Sequence, residues 1–326
     1  MGARSILVTG AAGFVGRHTA SALVRTGHNV TGLDVRPAPS WLDIPFCQID
    51  VVDAAYLARS GGFDVVVHNA AITDTTETDV NRLRAVNTDA TLRLAQACSD
   101  AGAAFVYASS FSVYGAVAHR VAVREEDIER RDVCSGPLNP YAASKLAADE
   151  ALAADPPSSP WVGVRYTNVF GPDEVDKGPM ASILSQIVRR AVVGDEVILF
   201  SDTLDAGRDY IPVQAVAAAI AACVDQPPPS GIYNLGSSVA VTFATLLDWV
   251  RAIVPSFRVR LVRNVHAARY QYWTCADMTR LRREIPELAR WDESALHAEI
   301  VALWEELAED LSPRHGGSAT TVQLES

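Results

Sequence analysis

Short runs of β-branched and aliphatic residues alternate along the chain with longer Ala-, Leu- and Arg-bearing segments of helical period, the pattern of repeated βαβ units on a parallel sheet. It predicts strands over residues 5–9, 29–34, 46–49, 64–69, 105–108 and 161–165, with helices near 14–26, 52–59, 81–101 and 140–154. Apolar residues in these strands are consecutive, as in Val65-Val66-Val67, which suits strands covered on both faces of a doubly wound α/β sheet. After Phe170 the rhythm loosens. Pro172, Gly178, Pro179, Gly194 and Pro227-Pro228-Pro229 break the chain, leaving helices near 180–193, 213–224, 242–254 and 293–310. Residues 1–170 are therefore expected to form one domain, and 171–311 a smaller α/β lobe with some elements crossing back. From Ser312 on, Gly316-Gly317-Ser318 and the polar residues after it read as a flexible tail.

Composition narrows the function classes. With 49% hydrophobic and 21% charged residues, the 326-residue chain is ordinary globular material. Its 28 Lys and Arg against 39 Asp and Glu give a net charge of −11, which repels phosphate backbones and argues against a nucleic-acid partner. The cysteines (Cys47, Cys98, Cys134, Cys223, Cys275) are scattered with no Cys-x-x-Cys, pointing to a reducing compartment, the cytoplasm. Ile6-Leu7-Val8 is too short for a secretory signal, Ile6 stands where myristoylation needs Ser or Thr, and the apolar run 216–224 is half a membrane span. No membrane association is expected. The seven histidines are dispersed, so no metal site is expected. Cys47, Cys98, Trp41, Trp249 and Trp291 read as packing residues.

Gly10, Gly13 and Gly16 stand in Thr-Gly-Ala-Ala-Gly-Phe-Val-Gly, between the first predicted strand and the first predicted helix. The first glycine permits a tight turn, the second lets backbone N–H groups approach a pyrophosphate, and the third allows close helix–strand packing. Phe14 and Val15 open the helix whose N-terminus would anchor the anion. Glycines alone are a weak signal. Asp34, 18 residues beyond Gly16 at the end of the second strand, strengthens it by placing a carboxylate where a ribose 2′-hydroxyl is read, the Rossmann-type arrangement. Asp34 favours NAD; Arg36 is placed to receive the 2′-phosphate of NADP. Both cofactors stay open, with the weight on NAD. Asp50 and Val51 are placed to bracket the adenine, although Asp50 also suits a helix N-cap. Asn69, Ala70 and Ala71 are assigned to the diphosphate and ribose, and Asn87 to the same cofactor side.

Tyr141 and Lys145, four apart in a predicted helix, emerge on one face. An ammonium beside a phenol favours phenolate and lowers its pKa, preparing it for acid–base work. Such a pair is common by chance. Ser110, at the carboxyl end of the fifth strand, adds a hydroxyl that can hold a substrate oxygen while Tyr141 takes its proton.

With Tyr-Ala-Ser-Ser-Phe-Ser-Val-Tyr-Gly at 107–115 and Tyr-Ala-Ala-Ser-Lys at 141–145, the chain resembles the extended short-chain dehydrogenase/reductase superfamily. In that pattern the catalytic serine precedes the Tyr of Val-Tyr-Gly by four, which selects Ser110 over Ser109. Further stretches resemble the ADP-glyceromanno-heptose 6-epimerases: Thr73-Asp74-Thr75-Thr76-Glu77, Asn168-Val169-Phe170-Gly171-Pro172 continuing to Lys177-Gly178-Pro179-Met180-Ala181-Ser182, and Arg269-Tyr270-Gln271 with Ala276-Asp277-Met278-Thr279. The resemblance implies an NAD(P)-dependent nucleotide-sugar epimerase in which Lys177 is a second acid/base, facing the sugar from the side opposite Tyr141. It further implies that Arg208, in Arg208-Asp209-Tyr210, grips the nucleotide diphosphate, and that Thr73, Ser110, Asn168, Phe200 and Tyr270 contact substrate. A homo-oligomer is implied as well. Pro179 stands where that family usually has serine, and the plain alternative for Lys177 is a solvated loop lysine. A hexose 4-epimerase or reductase of the superfamily would need only Tyr141. A non-catalytic nucleotide sensor, from another functional class, usually lacks the tyrosine or lysine that this chain keeps.

Overall fold

The computed structural model describes residues 2–311; the tail expected over 312–326 lies outside the described residues. Ile6, Leu7 and Val8 are fully buried in β1 (Ser5–Thr9), the consequence of a strand covered on both faces. On one side of it lie β2 (Asn29–Asp34) and β3 (Phe46–Gln48), on the other β4 (Val65–His68), β5 (Ala104–Ser110) and β6 (Trp161–Tyr166), every neighbouring pair parallel. Strand order reverses between β1 and β4. The crevice outside the carboxyl ends of the strands at such a reversal is where a doubly wound sheet takes its ligand.

The first helix, α1 (Phe14–Arg25), follows β1 directly. The helix expected over 52–59 begins later: Asp50 caps a 3₁₀ turn at Val51–Asp53 by accepting from the Val52 N–H at 3.0 Å, and α2 (Ala55–Ser60) follows. The segment expected as one helix over 81–101 is continuous but composite, with α3 (Val80–Leu83), a π-helical turn (Arg84–Asp89) and α4 (Ala90–Ala101). The π turn carries Asn87 inward, fully buried. For α5 (Pro140–Ala154) the sequence supplies every local signal: the Asn139 carboxamide accepts from the Ala142 N–H at 2.8 Å, Pro140 opens the helix, and alanines fill it.

Six more strands follow: β7 (Asn168–Phe170), β8 (Val197–Phe200), β9 (Gly207–Pro212), β10 (Gly231–Leu235), β11 (Ala240–Thr242) and β12 (Val259–Val262). They form a small sheet ordered β11-β9-β7 and a parallel pair β12-β8, while β10 pairs with β6 as the seventh strand of the large sheet. Of the later helices, α6 (Ile183–Val192), α8 (Phe243–Ile253) and α10 (Glu293–Leu311) surround the small lobe's own core, with Leu184, Ile187, Leu246 and Ile300 at its centre. By contrast α7 (Val213–Asp225) packs against α1, its Val216 and Ile220 joining the core of the large sheet, and α9 (Thr279–Glu284) lies beside β10. Trp249 and Trp291 pack against the small-lobe core; Trp41, expected as a packing residue, is half exposed.

Candidate active site

The turn between β1 and α1 uses its glycines in three ways. Gly10 has φ +71°, and a Cβ there would stand 2.6 Å from the Ala70 nitrogen. A side chain on Gly16 would collide with the Gly10 carbonyl. Gly13 is extended (φ −76°, ψ 165°), so its backbone accepts any residue. A Cβ on it would lie 3.0 Å from the Gly10 oxygen and 3.3 Å from the Arg36 guanidinium, filling a cradle that faces the cleft. The first turn of α1 holds no acidic residue, leaving its positive end open to an anion.

A cleft of about 650 Å³ runs from this turn across the strand ends. Gly10, Gly13, Phe14, Val15, Gly16, Asp34, Arg36, Asp50, Val51, Asn69, Ala70, Ala71 and Thr73 line it together with Tyr141, Lys145 and Lys177. The buried Asp34 carboxylate accepts from the Ala12 N–H at 3.1 Å and the Arg36 N–H at 3.0 Å, and Arg36 Nε lies 3.4 Å from it. The guanidinium that would read a 2′-phosphate is thus already engaged by the carboxylate that would repel one. Asp50 both caps its turn and lines the cleft. Asn87 stands behind the wall, accepting from the Ile72 N–H at 2.9 Å and donating to the Ile72 carbonyl and Ser144 Oγ, each at 3.0 Å. It shapes the loop after β4 from beneath.

Tyr141 and Lys145 share one face of α5, as their spacing requires. Lys145 is buried and donates from Nζ to the Ala108 carbonyl at 2.8 Å; burial pulls its pKa down to about 8, against the pull of the Asp149 charge. The phenol departs from expectation. Burial raises the Tyr141 pKa, the Ser110 hydroxyl opposes that rise, and Asp149 adds to it. An ammonium held on a backbone carbonyl does not offset the desolvation of a phenol, so this pair by itself does not lower the tyrosine. Ser110 Oγ accepts from the Ser112 N–H at 3.2 Å and lies 2.8 Å from Ser112 Oγ, outside the cleft lining but within reach of the phenol's field.

Lys177 arrives on a loop turned by two left-handed residues, Asp173 (φ +66°) and Gly178 (φ +53°). Its Nζ is 3.1 Å from the buried Glu174 carboxylate and 5.4 Å from the centre of the Phe14 ring. Glu174 in turn accepts from the Ser182 N–H at 2.6 Å and Ser185 Oγ at 2.5 Å, so the lysine is tied to a rigid corner rather than left in solvent.

The other substrate-side candidates gather elsewhere. The buried Arg208 guanidinium lies between the rings of Phe243 (5.5 Å) and Tyr270 (5.2 Å), and Phe200 meets Tyr270 edge-on at 6.0 Å. Asn168 donates to the Asp209 carbonyl and to Thr274 Oγ1, both at 3.0 Å, fastening β7 within the small lobe. None of these four lines the 650 Å³ cleft. The cleft also contains residues that the sequence reading missed, among them Tyr166, Asp176, Met180, Glu77 and Arg82. Tyr166 ends β6 and was open to the same strand-end rule that found Ser110; Glu77 stood in a stretch that carries the family resemblance but was given no role, and Arg82, paired with it at 2.8 Å, had no local signal. Among the described residues no cluster of three metal-ligating side chains occurs, and no helix is long and apolar enough to cross a membrane.

A glycine-turn crevice at a strand-order reversal, with serine, tyrosine and lysine at its edge, defines an enzyme of the extended short-chain dehydrogenase/reductase type. The chain belongs to the NAD dependent epimerase/dehydratase family, which matches residues 6–236. Among solved structures it is similar to Helicobacter pylori ADP-L-glycero-D-manno-heptose-6-epimerase, at 26% identity and TM-score 0.81 over 94% of this chain and 96% of that one. It is also similar to MoeE5 in complex with UDP-glucuronic acid and NAD (26%, TM-score 0.78, 94% and 100% covered). Thermus thermophilus UDP-glucose 4-epimerase complexed with NAD is a further match (25%, TM-score 0.78, 93% and 98% covered).

Proposed function

We propose that this protein is a nucleotide-sugar epimerase and, within that class, an ADP-glyceromanno-heptose 6-epimerase or a relative acting on another nucleoside-diphosphate heptose. The observation that carries the reading is that Lys177, from the smaller lobe, enters the same cleft as Tyr141. The cradle at Gly13 and the open N-terminus of α1 fit a dinucleotide pyrophosphate, and Asp34, with its acceptor oxygens at the end of β2, favours NAD over NADP. The NAD bound in the MoeE5 and Thermus structures supports the same choice. Bound nicotinamide supplies the acceptor and donor of a hydride. Around it, Tyr141 takes the proton of the sugar hydroxyl, Ser110 holds that oxygen, and Lys145 orients the ribose. The ketone so formed is planar, so a sugar turned within the pocket can be reduced from either face, and the second face needs its own proton donor. Lys177 serves there. Residues 171–311 hold the sugar nucleotide, with Arg208, Tyr270, Phe200, Asn168 and Thr73 on the substrate side. The working form is a cytoplasmic homo-oligomer.

A second reading rests on the Lys177–Phe14 contact, which sets the ammonium near the mouth of the glycine turn, where it would neutralise a diphosphate. The protein would then be a hexose 4-epimerase or reductase working through Tyr141 alone. Incubation with ADP-, GDP- and UDP-linked heptoses and hexoses, with epimers resolved chromatographically, separates the two. Interconversion of heptose epimers supports the first; turnover of hexoses only overturns it.

A further inference from the structure

The helix that presents Tyr141 and Lys145 presents a third polar side chain on the same face. Asp149 follows Lys145 by four residues, as Lys145 follows Tyr141. It is 1% exposed, and its carboxylate accepts from Tyr107 Oη and Ser109 Oγ, each at 2.9 Å, and from Arg165 Nε at 2.8 Å. Tyr107 and Ser109 flank Ala108 on β5, whose carbonyl receives the Lys145 ammonium, and Ser110 beside Tyr141 is the next residue. One carboxylate therefore stitches α5 to the stretch of β5 that serves the catalytic pair. Arg165, from β6, is itself held: its Nη1 donates to Tyr114 Oη at 2.7 Å, and that hydroxyl donates to Asn234 Oδ1 at 2.8 Å. The anchor cannot swing away.

We propose that Asp149 is a positioning residue for the Tyr141–Lys145 pair: it fixes the register of α5 on β5 that brings Lys145 to the Ala108 carbonyl. The proposal rests on the reading of Tyr141 and Lys145 given above. An ion pair this deep is a costly way to gain stability, because desolvation consumes most of the Coulomb energy, so a role beyond packing accounts better for it. The groups facing the carboxylate and ammonium are Arg165 from β6, Tyr107 from β5, and Tyr141 on the same helix, with His68 from β4 facing Lys145. His68 is buried, hydrogen-bonded by Thr9 and Thr91, and held neutral with its pKa pushed down to about 3, so it does not titrate in the working range. Asp149→Asn removes the negative charge that opposes the effect of burial on Lys145, so the pKa of Lys145 falls further.

The test reads NAD affinity of the full-length protein against pH, which needs no knowledge of the sugar. In the wild type, affinity should weaken as pH rises through about 8, where Lys145 loses its proton. In Asp149→Asn that midpoint should move down by about one pH unit, the scale of a neighbouring charge. Asp149→Glu should restore it. Lys145→Met is the control for the underlying reading: if the pH step survives without Lys145, the assignment of Lys145 fails. A step that disappears in Lys145→Met but keeps its midpoint in folded Asp149→Asn overturns the role of Asp149 alone. Should Asp149→Asn not fold, the double variant Tyr107→Phe, Ser109→Ala keeps the ion pair and loosens only the stitching. It should weaken NAD roughly fivefold in the wild-type background and not at all in Lys145→Met, since coupled residues are non-additive; equal losses in both backgrounds overturn the proposal.

Discussion

Arg17 reaches from α1 to the Asp176 carboxylate at 2.8 Å and to the Asp173 carbonyl at 2.7 Å, fastening the Lys177 loop to the helix that starts at the glycine turn. Arg17 is buried whereas Asp176 is half exposed, so the contact works more through geometry and local charge balance than through net ion-pair energy. Arg17→Met should weaken NAD binding, because it leaves the Asp176 carboxylate unbalanced beside the pyrophosphate cradle, and should lower turnover about tenfold by freeing the loop from its tie at the Asp173 carbonyl. Adding Asp176→Asn should recover NAD affinity without recovering turnover. Calorimetric NAD titration alongside epimer chromatography separates the two effects; recovery of both together would show that the contact acts through charge alone.

The glycine turn offers a division between folding and binding. Gly10 and Gly16 have no room for a Cβ, whereas at Gly13, extended and lining the cleft, a Cβ 3.0 Å from the Gly10 oxygen asks that neighbour to give only slightly. Gly13→Val should therefore lower the thermal midpoint less than a Cβ at Gly10 or Gly16 does, and should weaken NAD by filling the cradle. Gly10→Ala and Gly16→Ala should lower the midpoint itself. Differential scanning fluorimetry with and without NAD checks both; undiminished affinity in folded Gly13→Val contradicts the placement of the pyrophosphate.

Where sequence and structure agree, and where they part, has a physical pattern. The strands at the sheet centre were legible because burial on both faces forces consecutive apolar residues, and α5 was legible to the residue because Asn139 and Pro140 mark its start locally. The π turn at Arg84–Asp89 changes hydrogen bonding without changing composition, so a single helix was the natural reading. Strand β10 joins β6 across the whole of residues 167–230, and nothing local in Gly231–Leu235 announces that partner. The site divides likewise. Glycine turn, Asp34, Tyr141 and Lys145 carry their geometry in short spacings, whereas the Lys177 contact with Phe14 joins residues far apart in sequence. Asp149 lay in plain sight at the same four-residue spacing, but its meaning depends on Tyr107 and Arg165 of other elements.

Removing only the phenolic oxygen tests the acid–base assignment. Tyr141→Phe should fold and bind NAD yet lose turnover by roughly 10² or more, the usual scale of a general acid–base group. Ser110→Ala should cost less, since it removes orientation and one stabilising contact from the Tyr141 environment. In the wild type the alkaline limb of kcat/KM should fall near pH 8: Lys145 acts as the ammonium, and burial has brought its pKa down to about 8, so the active form is present below that pH and lost above it. Wild-type turnover in Tyr141→Phe would remove Tyr141 from the mechanism.

Lys177 decides between the two readings of the enzyme. If it protonates one face and Tyr141 the other, Lys177→Met should cripple interconversion in both directions, because each direction uses both groups in sequence. The buried Glu174 carboxylate loses its cation in this variant but keeps its hydrogen bonds from Ser182 and Ser185, so the substitution should cost stability while leaving the fold intact. Given a substrate analogue with an aldehyde at the epimerised carbon, Lys177→Met should still pass hydride by way of Tyr141, and the double variant Tyr141→Phe, Lys177→Met should not. The direct oxidation–reduction route also predicts that no solvent deuterium enters the carbon skeleton, since the migrating hydrogen travels on the nicotinamide. If Lys177 instead neutralises a diphosphate beside Phe14, Lys177→Met should weaken NAD or sugar-nucleotide binding and spare the turnover of bound substrate. Full epimerase activity in Lys177→Met, or one deuteron gained per turnover, would falsify the two-donor mechanism and leave a nucleotide-sugar enzyme that works through Tyr141 alone.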